Sequence, residues 1–293
     1  MIKINNLCKT LGNKQVINNL NLSINDGSIF GLVGINGAGK STLLRCISGV
    51  YSLDGGKILV DDKPVYENND VKQNILFIAD DPFINQNTTI KDLKILFSSF
   101  YEFSNEELYK YLNLFQVNIS NKKLNSFSKG MKRRVMLSFA LAIHPKYLLL
   151  DEAFDGLDPL GKLQFKKIVN ELVEKYNMTV IIASHSLREL EAVCDSFAMM
   201  NNGNVVSSGD VDSSSHNIYK VQMAFKDDVN LEDFKEKEII NKNKSLHIVT
   251  LIVKANKDDI IKLFEHYNPL TIDIIDLTFE EMFIYETEAF NHE

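Results

Sequence analysis

The chain has 293 residues, of which 45% are hydrophobic and 24% charged, values ordinary for a soluble folded protein. Its formal net charge of −7 argues against nonspecific binding to nucleic acid or to an anionic membrane, because both favour basic surfaces. The three cysteines have no metal-like spacing and no run approaches the roughly 18 apolar residues of a membrane helix, so we expect a cytoplasmic protein whose membrane partner, if it has one, is a separate chain.

The first sixty residues predict antiparallel β structure around one buried strand. Apolar residues alternate over residues 1–4 and 20–24, as in half-buried strands. The apolar run at 28–33 predicts a buried strand, and a turn at 54–56 precedes a further strand at 57–60. We therefore expect the chain to begin with strands before any long helix.

A glycine-rich stretch, GINGAGKS at 34–41, links the buried strand to a predicted helix. It fits the pattern G-x-x-x-x-G-K-[ST], in which backbone N–H groups converge on a phosphate with the help of the helix dipole. We expect Lys40 to reach the β- and γ-phosphates of ATP and the Ser41 hydroxyl to ligate Mg²⁺. An ordinary glycine-rich turn is the alternative. The residues predicted to contact the nucleotide here are Gly34, Asn36, Gly37, Ala38, Gly39, Lys40, Ser41 and Thr42.

Strands and helices alternate from residue 74 onward. Buried strands are predicted at 74–79, 147–150 and 179–183, because each is a short continuous apolar run. A helical region from 80 to 142 and a helix at 160–176 separate these strands. This alternation predicts an α/β fold with a parallel sheet covered by helices on both faces.

Two adjacent acids follow the second of these strands. In the stretch LLLDE, the carboxylates of Asp151 and Glu152 are placed at the carboxyl edge of the sheet, where α/β proteins bind ligands. We expect Asp151 to hold the Mg²⁺ that bridges the phosphates. We expect Glu152 to orient or deprotonate a water in line with the γ-phosphate. Two strand-end acids that merely begin a turn are the alternative.

Beyond residue 200 the sequence predicts a second, smaller unit. A hairpin turn at 201–204 is followed by a polar linker at 207–216. The elements expected after it are strands at 218–225, 246–253 and 272–275 and helices at 257–267 and 279–285. We therefore expect one domain over residues 1–210 and a small accessory α+β domain over 217–293.

Three further stretches resemble motifs of one family. FSKGMKRR at 127–134 resembles the signature of ATP-binding cassettes, usually written LSGGQ. AFDGLDP at 153–159 resembles the family's D-loop, with Asp158 as its acid, and Ser184-His185 resembles its H-loop, with His185 as the switch histidine. Together with the two motifs above and in the family's order, they make residues 1 to about 210 similar to the nucleotide-binding subunit of an ATP-binding cassette transporter.

The resemblance implies a P-loop NTPase with a parallel-sheet core, an antiparallel β subdomain and a helical signature subdomain at about 81–142. It implies hydrolysis of ATP with Mg²⁺, and His185 would brace the γ-phosphate beside the catalytic Glu152. It also implies a head-to-tail homodimer or heterodimer, in which Ser128, Gly130 and Asp158 face the ATP held by the other subunit. An integral membrane permease would be the partner, reached through the region around 80–92, and the chain would lie at the inner face of the cell membrane; no nucleic acid is expected.

Several positions depart from the family's pattern. By spacing, Leu11 stands where the family usually places an aromatic that stacks on adenine, and Val16 is expected to help line the same slot. Asp80 stands where the Q-loop glutamine is expected; an acid can still ligate Mg²⁺, and a solvated turn residue is the alternative. Within the signature, Lys129 replaces the first of its two consecutive glycines and Met131 replaces its glutamine.

The end of the chain indicates a direction of transport. Residues 276–286 resemble the tail that follows the cassette in bacterial exporter subunits, whose family includes multidrug and antibiotic-resistance transporters; an amphipathic helix closing the small domain is the structural alternative. A soluble ABC-type ATP switch acting on ribosomes or DNA is the alternative function, although such proteins usually carry two cassettes or a long coiled coil. A cassette that binds ATP without hydrolysing it is disfavoured by Glu152 and His185.

Overall fold

The computed structural model describes residues 1–81, 85, 87–118, 122–211, 217–278, 281 and 285. The chain forms two compact units, Met1–Val205 and Val206–Glu293. Parts of three predicted segments lie outside the described residues: 82–84 and 86 in the region expected to reach a permease, 212–216 in the linker, and most of the last helix. None of the helices in the described residues combines the length and the hydropathy that a membrane-spanning helix requires.

The first unit combines an antiparallel sheet, a parallel sheet and helices. Its strands are β1 (Ile2–Leu11), β2 (Lys14–Ile24), β3 (Ile29–Val33), β4 (Gly55–Val60), β5 (Lys63–Pro64), β6 (Ile75–Ile78), β7 (Tyr147–Asp151), β8 (Thr179–Ser184) and β9 (Ser196–Asn201). Strand β10 (Asn204–Asp210) begins in this unit and continues past its boundary at Val205. Its helices are α1 (Lys40–Ile47), α2 (Asn69–Lys72), α3 (Ile90–Ser98), α4 (Asn105–Leu114), α5 (Lys129–Ile143), α6 (Pro159–Tyr176) and α7 (Leu187–Glu191). The antiparallel sheet has the order β2-β1-β4-β5 and the other sheet the order β10-β9-β3-β8-β7-β6.

The predicted parallel-sheet core is confirmed. Every residue of β3, β7 and β8 is buried, as expected for strands covered on both faces. β3 pairs in parallel with β8, with Val33 opposite Ser184, and β8 pairs in parallel with β7, with Ala183 opposite Asp151. This register brings the carboxyl ends of three strands to one edge, so the segments that follow them are neighbours.

The core of the first unit lies between the two sheets and around α1. Ile2 and Ile4 of the antiparallel sheet belong to one buried cluster with Leu43 and Leu44 of α1 and with Leu149 of β7. The helix follows directly from the glycine-rich loop, so packing its apolar face against the sheet also fixes the direction of the loop. Burial of this face places the start of α1 at the edge where β7 and β8 end.

The first two strands are longer than the sequence predicts. β1 and β2 form a hairpin of ten and eleven residues, whose pairing register shifts between Ile4 and Leu7 and again near Lys9. Asn6 and Asn19 adopt positive φ angles there. Such irregularities interrupt the two-residue alternation on which strand prediction rests. The pattern was therefore visible only in the regular parts of each strand.

The predicted helical region at 80–142 consists of separate helices. Thr89 and Asp92 form a capping box at the start of α3, since the Thr89 hydroxyl accepts from the Asp92 N–H and the Asp92 carboxylate accepts from the Thr89 N–H. Ser104 caps α4 and Ser128 caps α5. Helix α5 packs against α4 and is buried along most of its second half.

The described part of the second unit is a four-stranded antiparallel sheet with the α-helix α8 (Lys257–Phe264). Its strands are β11 (Ile218–Ala224), β12 (Ile239–Ser245), β13 (Ile248–Lys254) and β14 (Thr271–Asp276), with the sheet order β12-β13-β11-β14. Val221, Leu251 and Phe264 are fully buried in its core. The sequence did not predict β12, which lies at the sheet's edge and is largely polar. Strand β10 continues to Asp210, so the predicted linker begins later than expected.

Candidate functional site

The glycine-rich loop joins β3 to α1 at the carboxyl edge of the parallel sheet. Gly39 immediately precedes the helix with a φ of 107°, in a region that residues with a side chain rarely adopt. The N–H of Ala38 donates to the Ile35 carbonyl at 3.1 Å, which closes a tight turn. The free N–H groups of the first turn of α1 are therefore presented at this edge, together with the positive end of the helix dipole.

Lys40, the first residue of α1, is only 5% exposed and lies within the loop. Its ammonium donates to the carbonyl oxygens of Gly34 at 2.6 Å and Ile35 at 3.2 Å. Burial lowers the pKa of Lys40, and the charges of Glu152 and Asp151 oppose that shift. An ammonium group beside the backbone N–H groups of such a loop is suited to binding a polyphosphate.

The next residue, Ser41, contacts the acid at the end of β7. Ser41 Oγ donates to Asp151 Oδ1 at 3.0 Å, and Asp151 is 2% exposed. Burial raises the pKa of Asp151, while the hydrogen bond from Ser41 acts in the opposite direction. A hydroxyl and a carboxylate oxygen in contact are ligands that Mg²⁺ prefers, and this ion usually takes few protein ligands beside phosphates and water. The pair therefore fits Mg²⁺, although the described residues contain no cluster of three or more metal-ligating side chains.

Glu152 and His185 form a second pair at the same edge. Glu152 has a φ of 52° and its N–H donates to the Ala183 carbonyl at 2.9 Å, so the chain turns sharply where β7 ends. Glu152 Oε2 lies 3.0 Å from His185 Nδ1. The Glu152 carboxylate is mostly buried, whereas the His185 side chain is 54% exposed. The arrangement provides a carboxylate that can accept a proton beside a ring that can orient it.

The signature residues begin helix α5 and lie against the segment that follows Glu152. Ser128 is the N-cap, and its hydroxyl accepts from the Met131 N–H at 3.2 Å. Gly130 approaches Gly156 so closely that a Cβ on Gly156 would lie 2.5 Å from Gly130 Cα, and one on Gly130 would lie 2.8 Å from the Gly156 carbonyl oxygen. Close packing against Gly156 therefore favours a glycine at position 130, a constraint that the sequence did not reveal.

Asp158 lies further along the same segment and caps helix α6. Its Oδ1 accepts from the Gly161 N–H at 2.7 Å, and its Oδ2 accepts from Arg134 of α5 at 3.0 Å. The backbone hydrogen bond from Gly161 is the main cause that holds the pKa of Asp158 below its usual value. Both carboxylate oxygens thus have partners within the chain.

Asp80 lies between two cations of α5. Asp80 Oδ1 is 2.8 Å from Lys129 Nζ and 2.8 Å from Arg133 Nη2. Arg133 is 2% exposed and also donates to the main-chain oxygens of Asp80 at 2.7 Å and of Asp151 at 2.8 Å. Arg133 was not identified from the sequence as a site residue. Its position four residues after Lys129 places both cations on the same face of α5, and this spacing was the available signal.

The two residues predicted for the adenine slot lie on the β1–β2 hairpin. Leu11 is partly exposed at the end of β1 and pairs with Lys14 across the turn. Val16 is partly buried, and a Cβ on Gly39 would lie 3.1 Å from its carbonyl oxygen. The structure therefore brings the backbone of Val16 beside the glycine-rich loop and leaves the Leu11 side chain at the turn of the hairpin.

Comparison with known proteins identifies relatives over most of the chain. The family model described as "ABC transporter" matches residues 17–155. The "ABC transporter ATP-binding protein YtrB" of Bacillus subtilis is 28% identical over 97% of each chain. The "Lantibiotic transport ATP-binding protein SrtF" of Streptococcus pyogenes is 31% identical over 74% of this chain and 93% of that protein. The "Methionine import ATP-binding protein MetN" of Clostridioides difficile is 35% identical over 72% of this chain and 69% of that protein.

Solved structures share the fold over about three-quarters of the chain. An "ATP binding subunit of ABC transporter" superposes with a TM-score of 0.65 at 27% identity, covering 72% of this chain and 90% of that one. A dimeric cassette, MJ0796, in a post-hydrolysis state with ADP and Pi, also has a TM-score of 0.65, at 22% identity and covering 73% of this chain and 100% of that one. The second likeness is evidence of the fold alone.

Proposed function

The chain belongs to the family of ABC transporter ATP-binding proteins, and from that premise we propose that it is the ATP-hydrolysing subunit of an exporter whose membrane-spanning part is a separate chain. Members of this family are ATPases that bind nucleotide through the P-loop. The observation that carries the proposal is the hydrogen bond between Ser41 and Asp151, with buried Lys40 on one side and the Glu152–His185 pair on the same sheet edge.

Binding of the nucleotide is the task of the loop and of α1. The ammonium of Lys40 exchanges its main-chain acceptors for the β- and γ-phosphates, while the amides between Gly34 and Thr42 bind phosphate oxygens. Ser41 and Asp151 would hold Mg²⁺, which neutralises charge on the phosphate oxygens when bound. Val16 and Leu11 would border the adenine.

Hydrolysis depends on Glu152 and His185. Glu152 accepts a hydrogen bond from the attacking water and takes its proton as the bond from the water oxygen to the γ-phosphorus forms and the bond from that phosphorus to the β–γ bridging oxygen breaks, so that ADP and phosphate leave. His185 keeps this carboxylate oriented through the 3.0 Å contact and braces the γ-phosphate with the same exposed ring. The catalytic residues in this proposal are Glu152 and His185.

A second subunit completes the site. Ser128 and Gly130 offer a hydroxyl and the amino end of α5 to the γ-phosphate held by the other chain, and Asp158 lies at the same surface. Family cassettes dimerise and act with transmembrane partners. We therefore propose a head-to-tail dimer, with itself or with another cassette, bound to a permease at the inner face of the membrane.

Export is favoured over import by the carboxyl-terminal part of the chain. Residues 276–286 resemble the tails of bacterial exporter subunits. The methionine import protein is similar over 72% of this chain, whereas YtrB, whose name gives no direction of transport, is similar over 97% of it.

The two compact units support a division of labour. We assign ATP binding and hydrolysis to residues 1–210 and an accessory role to residues 217–293, consistent with the boundary near Val205. A chain ending at residue 216 should retain nucleotide binding. Measuring its ATPase activity and its ATP-dependent dimerisation shows whether the second domain supports dimer contacts; loss of nucleotide binding would contradict the assignment.

Direction and partner can be tested in cells. Deleting the gene should increase sensitivity to at least one compound in a panel of antimicrobials, leave growth on limiting nutrients unchanged, and be complemented by the wild type but not by the Lys40→Ala variant. A growth defect on a limiting nutrient without any such sensitivity would indicate import. A tagged chain should co-purify with a polytopic membrane protein; co-purification with ribosomes or DNA instead would contradict the transporter role.

A further inference from the structure

Two departures from the family's pattern contact each other in this chain. Asp80, which follows β6, and Lys129, the first residue of α5, form an ion pair with 2.8 Å between Oδ1 and Nζ. Lys129 Nζ also lies 3.7 Å from Asp155, in the segment that follows Glu152. The acid stands where a glutamine is expected and the base where a glycine is expected, so the two charges complement each other.

A buried arginine extends this contact to the nucleotide site. Arg133 is 2% exposed, and its guanidinium donates to four oxygens. They are the carbonyl oxygens of Ala79 at 3.2 Å, Asp80 at 2.7 Å and Asp151 at 2.8 Å, and Asp80 Oδ1 at 2.8 Å. Because a buried cation is costly without an anionic partner, the Asp80 carboxylate is the group that makes this position of Arg133 favourable.

Helix α5 needs such an external anion. Its first turn contains no acidic residue but carries Lys129, with Arg133 one turn later, at the end where the helix dipole disfavours cations. Asp80 supplies the missing negative charge from the end of β6. The carboxylate therefore holds the start of the helix, and with it Ser128, at the end of β6, while Arg133 connects the helix to the Asp151 carbonyl at the end of β7.

We propose that Asp80 is a positioning residue, which sets the place of Ser128 relative to the chain's own nucleotide site through its contacts with Lys129 and Arg133. The inference rests on the proposed function, because Ser128 acts on the nucleotide of the other subunit. It assigns Asp80 a role other than the metal ligand expected from the sequence. Breaking the contact should impair dimer closure and turnover and leave binding to the chain's own P-loop intact.

The test compares Asp80→Asn, Lys129→Gln and the double variant in the full chain. We expect kcat to fall about tenfold in Asp80→Asn and about threefold in Lys129→Gln, since the exposed lysine contributes less than the buried arginine contact. The double variant should fall no further than Asp80→Asn alone. The affinity for fluorescent Mg-ADP and the Mg²⁺ concentration for half-maximal activity should stay within twofold of the wild type. In a Glu152→Gln background, the same variants should require more ATP to dimerise.

Lys167→Gln is the matched control, because Lys167 is an exposed lysine of α6, lies outside the signature stretch and has no ion pair with any described residue; it should behave as the wild type. A tenfold shift in Mg²⁺ dependence for Asp80→Asn, with Lys129→Gln unchanged, would establish the metal-ligand role and overturn the proposal. Wild-type turnover in both single variants would also overturn it. A wild-type chain that neither hydrolyses ATP nor dimerises with it would contradict the proposed function itself.

Discussion

Lys40 and Asp151 are almost fully buried at the edge of the parallel sheet, whereas Lys129, in the first turn of α5, leaves 57% of its side chain exposed. In the proposed function, Lys40 and Asp151 belong to the half of the site that would bind the chain's own nucleotide. The second half, which begins with Ser128, would face the nucleotide of another subunit. One half is therefore fixed by strand register and burial, and the other by contacts of the partly exposed Asp80 and Lys129 around the buried Arg133.

This difference separates two kinds of substitution. Changes in the buried half should remove binding or chemistry outright, because the register of β3, β7 and β8 leaves no alternative arrangement. Changes in the signature half should leave the chain's own nucleotide site intact. They should weaken the contact of the signature with the nucleotide held by a partner subunit. The predictions below test that separation, beginning with the largest expected effect.

Replacing Glu152 by Gln should lower ATP turnover by about 10²–10⁴-fold while ATP remains bound, because the amide keeps the shape of the side chain but cannot accept the proton of the attacking water. Steady-state ATPase measurements and nucleotide titration check the two parts. Glu191→Gln, at an exposed position of α7, is the control and should retain wild-type turnover. Near-normal hydrolysis by the Glu152 variant would exclude this residue as the base.

Replacing Gly156 by Ala should damage the signature half alone. An alanine there meets both an unfavourable φ of 76° and a contact of 2.5 Å with Gly130, so the start of α5 must move. We expect the free energy of unfolding to fall by about 2 kcal/mol and ATPase activity by more than tenfold. Binding of Mg-ADP to the chain's own loop should change little.

Gly12→Ala is the control for Gly156→Ala, because it introduces the strain of a positive φ without a close contact to another residue. Gly12 has a φ of 60°, but a Cβ there meets nothing within 4 Å. Chemical denaturation should therefore show a loss of about 1 kcal/mol for this variant, close to the strain alone. If both variants lose the same stability, the approach of Gly156 to Gly130 is not a constraint.

The same two halves differ in how far the sequence predicted them. The sequence predicted that Lys40, Ser41 and Asp151 follow buried strands at the carboxyl edge of the sheet, because each belongs to a contiguous motif next to a predicted strand. The surroundings of Asp80 were not predicted, since its contact with Arg133 joins residues 53 positions apart and depends on which face of α5 meets β6. A single sequence contains the residues of such a contact but no signal that pairs them.

The fold shows the same limit. Continuous apolar runs gave β3, β7 and β8 within a residue or two, because burial on both faces leaves a strong local pattern. Strand β12 was missed because an edge strand needs few apolar residues, and its stretch from Asn241 to Ser245 is polar throughout. Where tertiary contacts rather than local pattern stabilise an element, the sequence alone underdetermines it.

Replacing Leu11 by Tyr should strengthen ATP binding by about fivefold, a smaller change than the losses of activity expected for Glu152→Gln and Gly156→Ala. A ring beside the turn of the β1–β2 hairpin can stack on adenine, and stacking on a base contributes roughly 1–3 kcal/mol when well aligned. Titration with a fluorescent ATP analogue measures the change. The gain should be absent for a triphosphate without a base; unchanged affinity for ATP would remove Leu11 from the adenine site.

The smallest effect is expected at the far end of α5, where His144 stacks on Tyr176 with 4.4 Å between ring centroids and lies 3.6 Å from Glu107. Burial lowers the pKa of His144 below 6.5, although Glu107 opposes the shift and Lys175 adds to it. The unfolded chain therefore binds more protons at this residue, so the contribution of His144 to stability is constant well above pH 6.5 and falls as the pH drops towards its folded-state pKa. His144→Asn should reduce the pH dependence of unfolding below pH 6.5 by at most about 1.4 kcal/mol per pH unit, the value for one proton, because asparagine tolerates the left-handed φ of 49° without titrating. An identical pH dependence in both proteins would show that His144 titrates alike when folded and unfolded.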